Sequence, residues 1–297
     1  MEIVDAYACS HAGLIYTRVE EPPAAQRDAV YGAFAQMKEA IERARPDAIV
    51  IVATDHQRAF PLSGVPMFAI GVGPQAAGLG DAGVPPCTVP VHQPLAQAIL
   101  GGCVSREIDL VFCEEVKIDH SFACPLTFIT PEFDIPIVPI TQNCNVPPRP
   151  GFRRAYGVGR AVRESILEGP AGRAVVIGTG GLSHWVGSEE RIEFMNRPAG
   201  TRWAEIAEHP VEIADTGPVN DVFDRKFLDA LAQGDAASFI EEWTPERVEE
   251  EAGNGAHEVR NWILAAGMAG GAPLETMAYE PVQEWLTGTA VARFKPA

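Results

Sequence analysis

The chain has 297 residues, 46% of them hydrophobic and 21% charged, which supplies apolar material for a sizeable core and excludes a disordered chain. Its formal charge of −17 excludes nucleic acid and anionic membrane as natural partners, because a polyanion is repelled over most of such a surface. The length fits one large α/β unit, and no composition shift marks a second, so a single domain over residues 1–297 is expected.

No basic N-terminal stretch leads into an apolar run, and no long window is free of charge and turn formers. Neither a signal peptide nor a transmembrane span is therefore expected, and the chain reads as cytoplasmic. Its cysteines (Cys9, Cys87, Cys103, Cys113, Cys124 and Cys144) fall in the first half without a C-x-x-C pair, which fits reduced thiols better than a disulfide framework or a zinc ribbon. Cys9, close to His11, reads as a small packing residue at a strand end rather than a metal thiolate.

In chain order, Ile3–Ala8 predicts a strand. A helix follows over Ala24–Arg45, where Val30, Phe34, Met37 and Ile41 recur at helical spacing and Pro46 stops the run. Ala48–Ala53 is a second strand. Met67–Val72 is another, within a Gly- and Pro-dense stretch (63–90) that otherwise reads as a long loop. Asp109–Cys113 and Ile135–Ile140 predict strands, Phe152–Leu167 a helix and Ala174–Ile177 a further strand. Residues 185–222 show no sustained period and suggest an extended excursion that covers something. Helices return around Asp224–Ala232 and from Thr244 onward, with Thr244 as cap and Pro245 at the first helical position. Doubly buried strands alternating with helices predict a three-layer α/β/α sandwich with a largely parallel, mixed central sheet.

Four of the seven histidines follow a predicted strand within a few residues: His11, His56, His120 and His184. Parallel strands deliver their carboxyl ends to one edge of a sheet, so these imidazoles are expected to converge on one cleft. A single histidine in a loop is usually a solvated side chain; four in the same topological position shift that balance. Aspartate precedes two of them, at Asp55 and Asp119, where a carboxylate can orient an imidazole, although adjacent residues leaving a strand usually point apart. His92 and His209 lie in proline-containing contexts and receive no role.

Other motifs fail on inspection. Gly181-Leu182-Ser183-His184-Trp185 lacks the last glycine of a nucleophile elbow, which makes Ser183 an improbable nucleophile. The glycines at 178–181 do not complete a dinucleotide fingerprint, and no P-loop lysine is present. His257-Glu258-Val259-Arg260-Asn261 opens like a zincin helix but has Asn261 where the second metal-binding histidine belongs.

An ordered set of segments resembles the class III, or LigB-type, extradiol dioxygenases, and within them the branch of 2,3-dihydroxyphenylpropionate 1,2-dioxygenase. The segments are Ser10-His11, Thr54-Asp55-His56, residues 68–73 (FAIGVG), residues 118–126 (IDHSFACPL), Pro150-Gly151-Phe152, residues 178–184 (GTGGLSH) and residues 256–262 (AHEVRNW). The resemblance implies an Fe2+ site held by His11, His56 and Glu258, a facial triad that leaves positions for a catecholate and for dioxygen. It implies that His120 and His184 form an acid/base pair, with His184 assigned as base and His120 as acid, roles that could be exchanged. The expected reaction is extradiol cleavage of a substituted catechol by O2 to a muconic semialdehyde-type acid, in a homo-oligomer. Glu258 rests on this resemblance alone. Arg58 is a candidate for a substrate carboxylate set against an ordinary surface arginine, and Phe122 a candidate ring-stacking residue set against a core aromatic. Two rival readings stand beside the dioxygenase: a zinc hydrolase on the same scaffold, and a non-catalytic homologue.

Overall fold

The strands form from β-branched runs covered on both faces and, at the margins, from runs that keep an exposed face. In the computed structural model, which describes residues 1–208, 217–234 and 236–295, they are β1 (Glu2–Cys9), β2 (Ala48–Ala53), β3 (Phe68–Gly71), β4 (Gln75–Gly78), β5 (Cys87–Pro90), β6 (Val111–Cys113), β7 (Val116–Ile118), β8 (Ile137–Gln142), β9 (Arg173–Thr179), β10 (Leu274–Val282) and β11 (Thr287–Phe294). The α-helices are α1 (Gly13–Thr17), α2 (Ala24–Ala44), α3 (Gln93–Val104), α4 (His120–Ile129), α5 (Phe152–Glu168), α6 (Glu189–Asn196), α7 (Asp221–Ala232), α8 (Ala236–Glu242), α9 (Pro245–Ala252) and α10 (Val259–Met268).

The main sheet has the order β10-β11-β1-β9-β2-β8-β3-β6. Its centre, β1-β9-β2-β8, is parallel throughout, whereas β11 joins β1, and β3 joins β8, antiparallel. Every residue of β2 is buried, as a strand covered on both faces requires. One face carries α3, α5 and α10 and the other α2 and α4, which completes the expected α/β/α sandwich. A second, three-stranded sheet, β5-β4-β7, stands to the side. No helix among the described residues is long and apolar enough to cross a membrane.

Local chemistry sets several boundaries. α2 ends at Arg45, in the left-handed region at φ 46°, one residue before the proline that stops it. Thr244 accepts the Arg247 N–H at the start of α9, with Pro245 in the first turn.

Elsewhere tertiary packing overrides the local pattern. The loop expected after β3 contains the strands β4 and β5. The Asp109–Cys113 run is only a short edge strand, with Val111 and Phe112 exposed rather than buried on both faces. The stretch expected to continue as helix closes instead with the hairpin β10-β11, which extends the sheet beyond β1. The excursion at 185–222 includes α6 and a 3-10 turn, Trp203–Glu208; its residues 209–216, with His209, lie outside the described residues.

Candidate metal centre

Three neighbouring parallel strands, β1, β9 and β2, each release a histidine beyond their carboxyl ends: His11, His184 and His56. His120 reaches the same cleft by a different route from that expected. It does not follow the main sheet's edge strand β6; it is the first residue of α4, after β7 of the side sheet. Asp119 caps that helix by accepting the Ser121 N–H.

Glu258 ends a 3-10 turn, Gly255–Glu258, immediately before α10. Two side chains of α10 dock this segment on the end of β9: Asn261 Nδ2 donates to the Thr179 carbonyl at 2.8 Å, and Trp262 Nε1 to the Gly180 carbonyl at 3.0 Å. The approach depends on two glycines. A Cβ at Gly180 would stand 2.8 Å from Glu258 Cβ, and one at Gly255 would collide with the His184 ring. Glu258 is consequently 1% exposed, unlike a typical helix glutamate.

His11 Nε2 lies 3.1 Å from Glu258 Oε2, His56 Nε2 3.2 Å from Oε1, and His184 Nε2 3.8 Å from Oε2. The far side of each imidazole decides where its proton sits. His184 Nδ1 faces the Leu182 carbonyl at 2.9 Å and must donate to it. His56 Nδ1 donates to Asp119 at 2.9 Å and His120 Nδ1 to Asp81 at 2.6 Å. Thr179 Oγ1 spends its hydrogen on the Ser121 carbonyl, so it accepts from His11 Nδ1 at 3.0 Å. All four rings are thus held through Nδ1–H, which leaves Nε2 as the nitrogen with a lone pair.

Two ring nitrogens facing one buried carboxylate repel it unless a cation, a proton or a metal ion, joins them. Among the described residues Glu258 Oε2 accepts the Gly181 N–H at 2.7 Å, and buried Oε1 has no hydrogen-bond partner. His11, His56 and Glu258 offer donor atoms within 4.8 Å of one another, and their chemistry fits a divalent ion. His56, Asp119 and His120 also lie that close, but the Asp119 oxygens are already taken by N–H and O–H donors of residues 56 and 121.

The electrostatics point the same way. Burial depresses the imidazolium forms of His11 and His184 against the pull of Glu258. Burial acts likewise on His56, but Asp119 and Glu258 outweigh it, so His56 attracts a positive charge at neutral pH. Burial would also neutralise Asp119 and Glu258; the facing histidines overcome it and hold both carboxyls well below the usual range.

The group opens on a cavity of about 480 Å³ whose other walls include Leu14, Ile192, Met195 and Trp285. Ile192 and Met195 belong to α6, so part of the 185–222 excursion does cover the site. Arg58 lines the cavity, with Nε 3.8 Å from Asp81. Phe122 is buried in the core and does not line the cavity. Cys9 is fully buried in the same core. His257 is occupied at both nitrogens, by Glu249 and Arg260, and His92 caps α3.

Sequence reasoning missed Asp81 and Thr179, and it left the partners of the two aspartates open. Neither aspartate bonds the histidine beside it: Asp119 reaches across to His56, while Asp55 accepts the backbone N–H groups of Arg58, Ala59 and Phe60. Burial and the neighbouring Asp119 push the Asp55 carboxyl up to about 6. No local signal marks Asp81, which sits in a Gly- and Pro-rich loop.

Known proteins share this framework. The crystal structure of uncharacterized protein JW3007 from Escherichia coli K12 superposes with a TM-score of 0.55 over 98% of this chain and 99% of that one, at 15% identity, a likeness of fold. A curated relative from Klebsiella pneumoniae (strain 342), 2,3-dihydroxyphenylpropionate/2,3-dihydroxicinnamic acid 1,2-dioxygenase, is 29% identical over 96% of this chain and 97% of its own length. The protein of the same name from Escherichia coli O139:H28 (strain E24377A / ETEC) is 29% identical over 95% of each. The family model of the catalytic LigB subunit of aromatic ring-opening dioxygenase matches residues 5–294, and the chain therefore belongs to this family of ring-cleaving oxidoreductases.

Proposed function

We propose that the chain is an iron(II)-dependent extradiol dioxygenase acting on a substituted catechol, with His11, His56 and Glu258 as iron ligands, His184 as base and His120 as acid. The observation that carries this reading is the buried Glu258 carboxylate set between the Nε2 lone pairs of His11 and His56, one of its oxygens without a partner. When bound, iron(II) would supply positions for both catechol oxygens and for O2, and a path for electrons from ring to oxygen.

The chain's own residues handle position and protons. The apolar lining receives the ring and excludes water. His184, kept neutral by burial and anchored at Nδ1, presents an Nε2 lone pair next to Glu258, where it can take a phenolic proton. His120, backed by Asp81, takes the second phenolic proton at Nε2 and returns it to the reacting oxygen as the ring opens. Overall one catechol and one O2 become one ring-opened acid that retains both oxygen atoms. By the same family likeness we assign a single catalytic domain over residues 1–297, working as a homo-oligomer.

Protein purified without oxygen, analysed for metal, loaded with iron(II) and then exposed to air with a panel of catechols tests the reading. 2,3-Dihydroxyphenylpropionate is the first of the panel because the relatives carry that substrate in their names. Iron-dependent O2 uptake matched to a yellow ring-opened product is expected. Stoichiometric zinc with no cleavage after iron loading would overturn it in favour of a zinc hydrolase, for which the same donor set is adequate.

A further inference from the structure

The turn that carries His184 is held from behind by groups that do not line the cavity. Asp224, on α7, is fully buried, and its carboxylate accepts three neutral donors: the Ser183 N–H at 2.7 Å, the Ser183 hydroxyl at 2.8 Å and the Tyr279 hydroxyl at 2.9 Å. Ser183 Oγ in turn accepts the Asn220 N–H at 2.8 Å. From the other side, β11 grips the same two residues: Leu182 N–H donates to the Gly288 carbonyl at 3.1 Å, and Gly288 N–H to the Ser183 carbonyl at 3.0 Å. A Cβ at position 288 would collide with Asp224 Oδ2, so strand, turn and carboxylate are in direct contact. The Leu182 carbonyl fixed by this arrangement is the one that receives His184 Nδ1–H.

We propose that Asp224 is a positioning residue for His184: through Ser183 it orients the Leu182 carbonyl, which fixes the imidazole with Nε2 toward the cavity. This accounts for a buried carboxylate with no ion pair among the described residues, where burial pushes the carboxyl up to about 7. It also explains the serine of the failed nucleophile motif, whose hydroxyl is used for structure. The inference rests on His184 carrying a proton, as proposed above.

The test measures kcat, KM and iron content for Asp224→Ala, Asp224→Asn, His184→Ala and the Asp224→Ala/His184→Ala double variant, with the His184 Nδ1–H resonance in metal-free, histidine-labelled protein. Asp224→Ala should lower kcat about 10- to 100-fold with KM nearly unchanged and iron retained. Asp224→Asn, whose amide oxygen still accepts the Ser183 N–H, should recover most of the loss. In the His184→Ala background Asp224→Ala should cost nothing further, and the resonance should vanish in Asp224→Ala yet persist in Asp224→Asn. The same penalty in both backgrounds, or an unchanged resonance in Asp224→Ala, overturns the inference. Normal turnover by His184→Ala would overturn the base assignment instead, and the resonance would then decide the positioning role alone. Should Asp224→Ala fail to fold, Ser183→Ala, which removes only the hydroxyl link, is read by the same criteria.

Discussion

His120 and His184 face one cavity from two different parts of the molecule. His184 leaves the central strand β9, is clamped by neighbouring backbone and donates Nδ1–H to a neutral carbonyl. His120 starts a helix supplied by the side sheet and donates Nδ1–H to a carboxylate, Asp81, whose ionised form outlasts the opposing effect of burial through its contacts with His120. One imidazole is therefore supported by a dipole and the other by a full charge, and the roles proposed for them rest on that difference.

Substitutions can break this comparison. The largest effect belongs to neither histidine: Glu258→Ala should abolish turnover and iron retention together, as metal analysis after gel filtration would reveal. Retention of full iron would remove Glu258 from the ligand set. Next, His184→Ala and His120→Ala should each lower kcat by about 10² to 10⁴ while iron stays bound. If either loses iron, that residue belongs with the ligands. Because burial lowers the imidazolium pKa of His184, the neutral base should persist below the ordinary value of about 6.5. The acid limb of the wild-type kcat/KM profile should accordingly fall below that value and be missing in His184→Ala.

The carboxylates sharpen the contrast. Asp81→Asn should reduce turnover about 10- to 100-fold without changing iron affinity, whereas Asp119→Asn should weaken iron binding by a similar factor because it orients His56. Equal effects on both quantities would erase the distinction between the two aspartates. The smallest effect concerns stability. With the Asp224 carboxyl raised to about 7, its protonated form favours the fold fully below the unfolded value of about 4, and that contribution is lost as pH rises through 7. Wild type should melt above Asp224→Asn by a margin that shrinks by a few °C between pH 5 and pH 8. A margin that widens would show that the carboxyl is not raised.

The legible parts of the site were those that one strand end could announce. His11, His56 and His184 sit at fixed distances from uninterrupted buried runs, so topology alone places them on one edge. His120 was named for a strand that turned out to be a short exposed edge. Its true carrier, β7, is a three-residue strand visible only through its pairing with β4. Asp81 depends on the path of a loop, and the choice of Asp119 over Asp55 for His56 depends on contacts 63 residues apart in the chain. The hairpin β10-β11 escaped for a related reason: Leu274–Val282 is half-buried over most of its length, so neither a two-residue nor a helical period stands out. Glu258 could be reached only by likeness, since what sets it apart is burial beneath two glycine contacts.

The start of α4 is the hub of the site. Asp119 is tied to His56, the Ser121 carbonyl receives Thr179 and through it His11, and His120 lies between them, so three consecutive residues brace two of the four imidazoles and supply a third. The apolar wall from α6 is held by Asn196 and Arg149 to Glu249, and by Arg191, which donates to the Gln57 side chain next to His56. An engineer seeking a new substrate range can therefore vary the cavity-facing Ile192 and Met195, keeping Arg191 and leaving residues 119–121 untouched. The reverse swap would dismantle the chemistry before any new specificity could be measured.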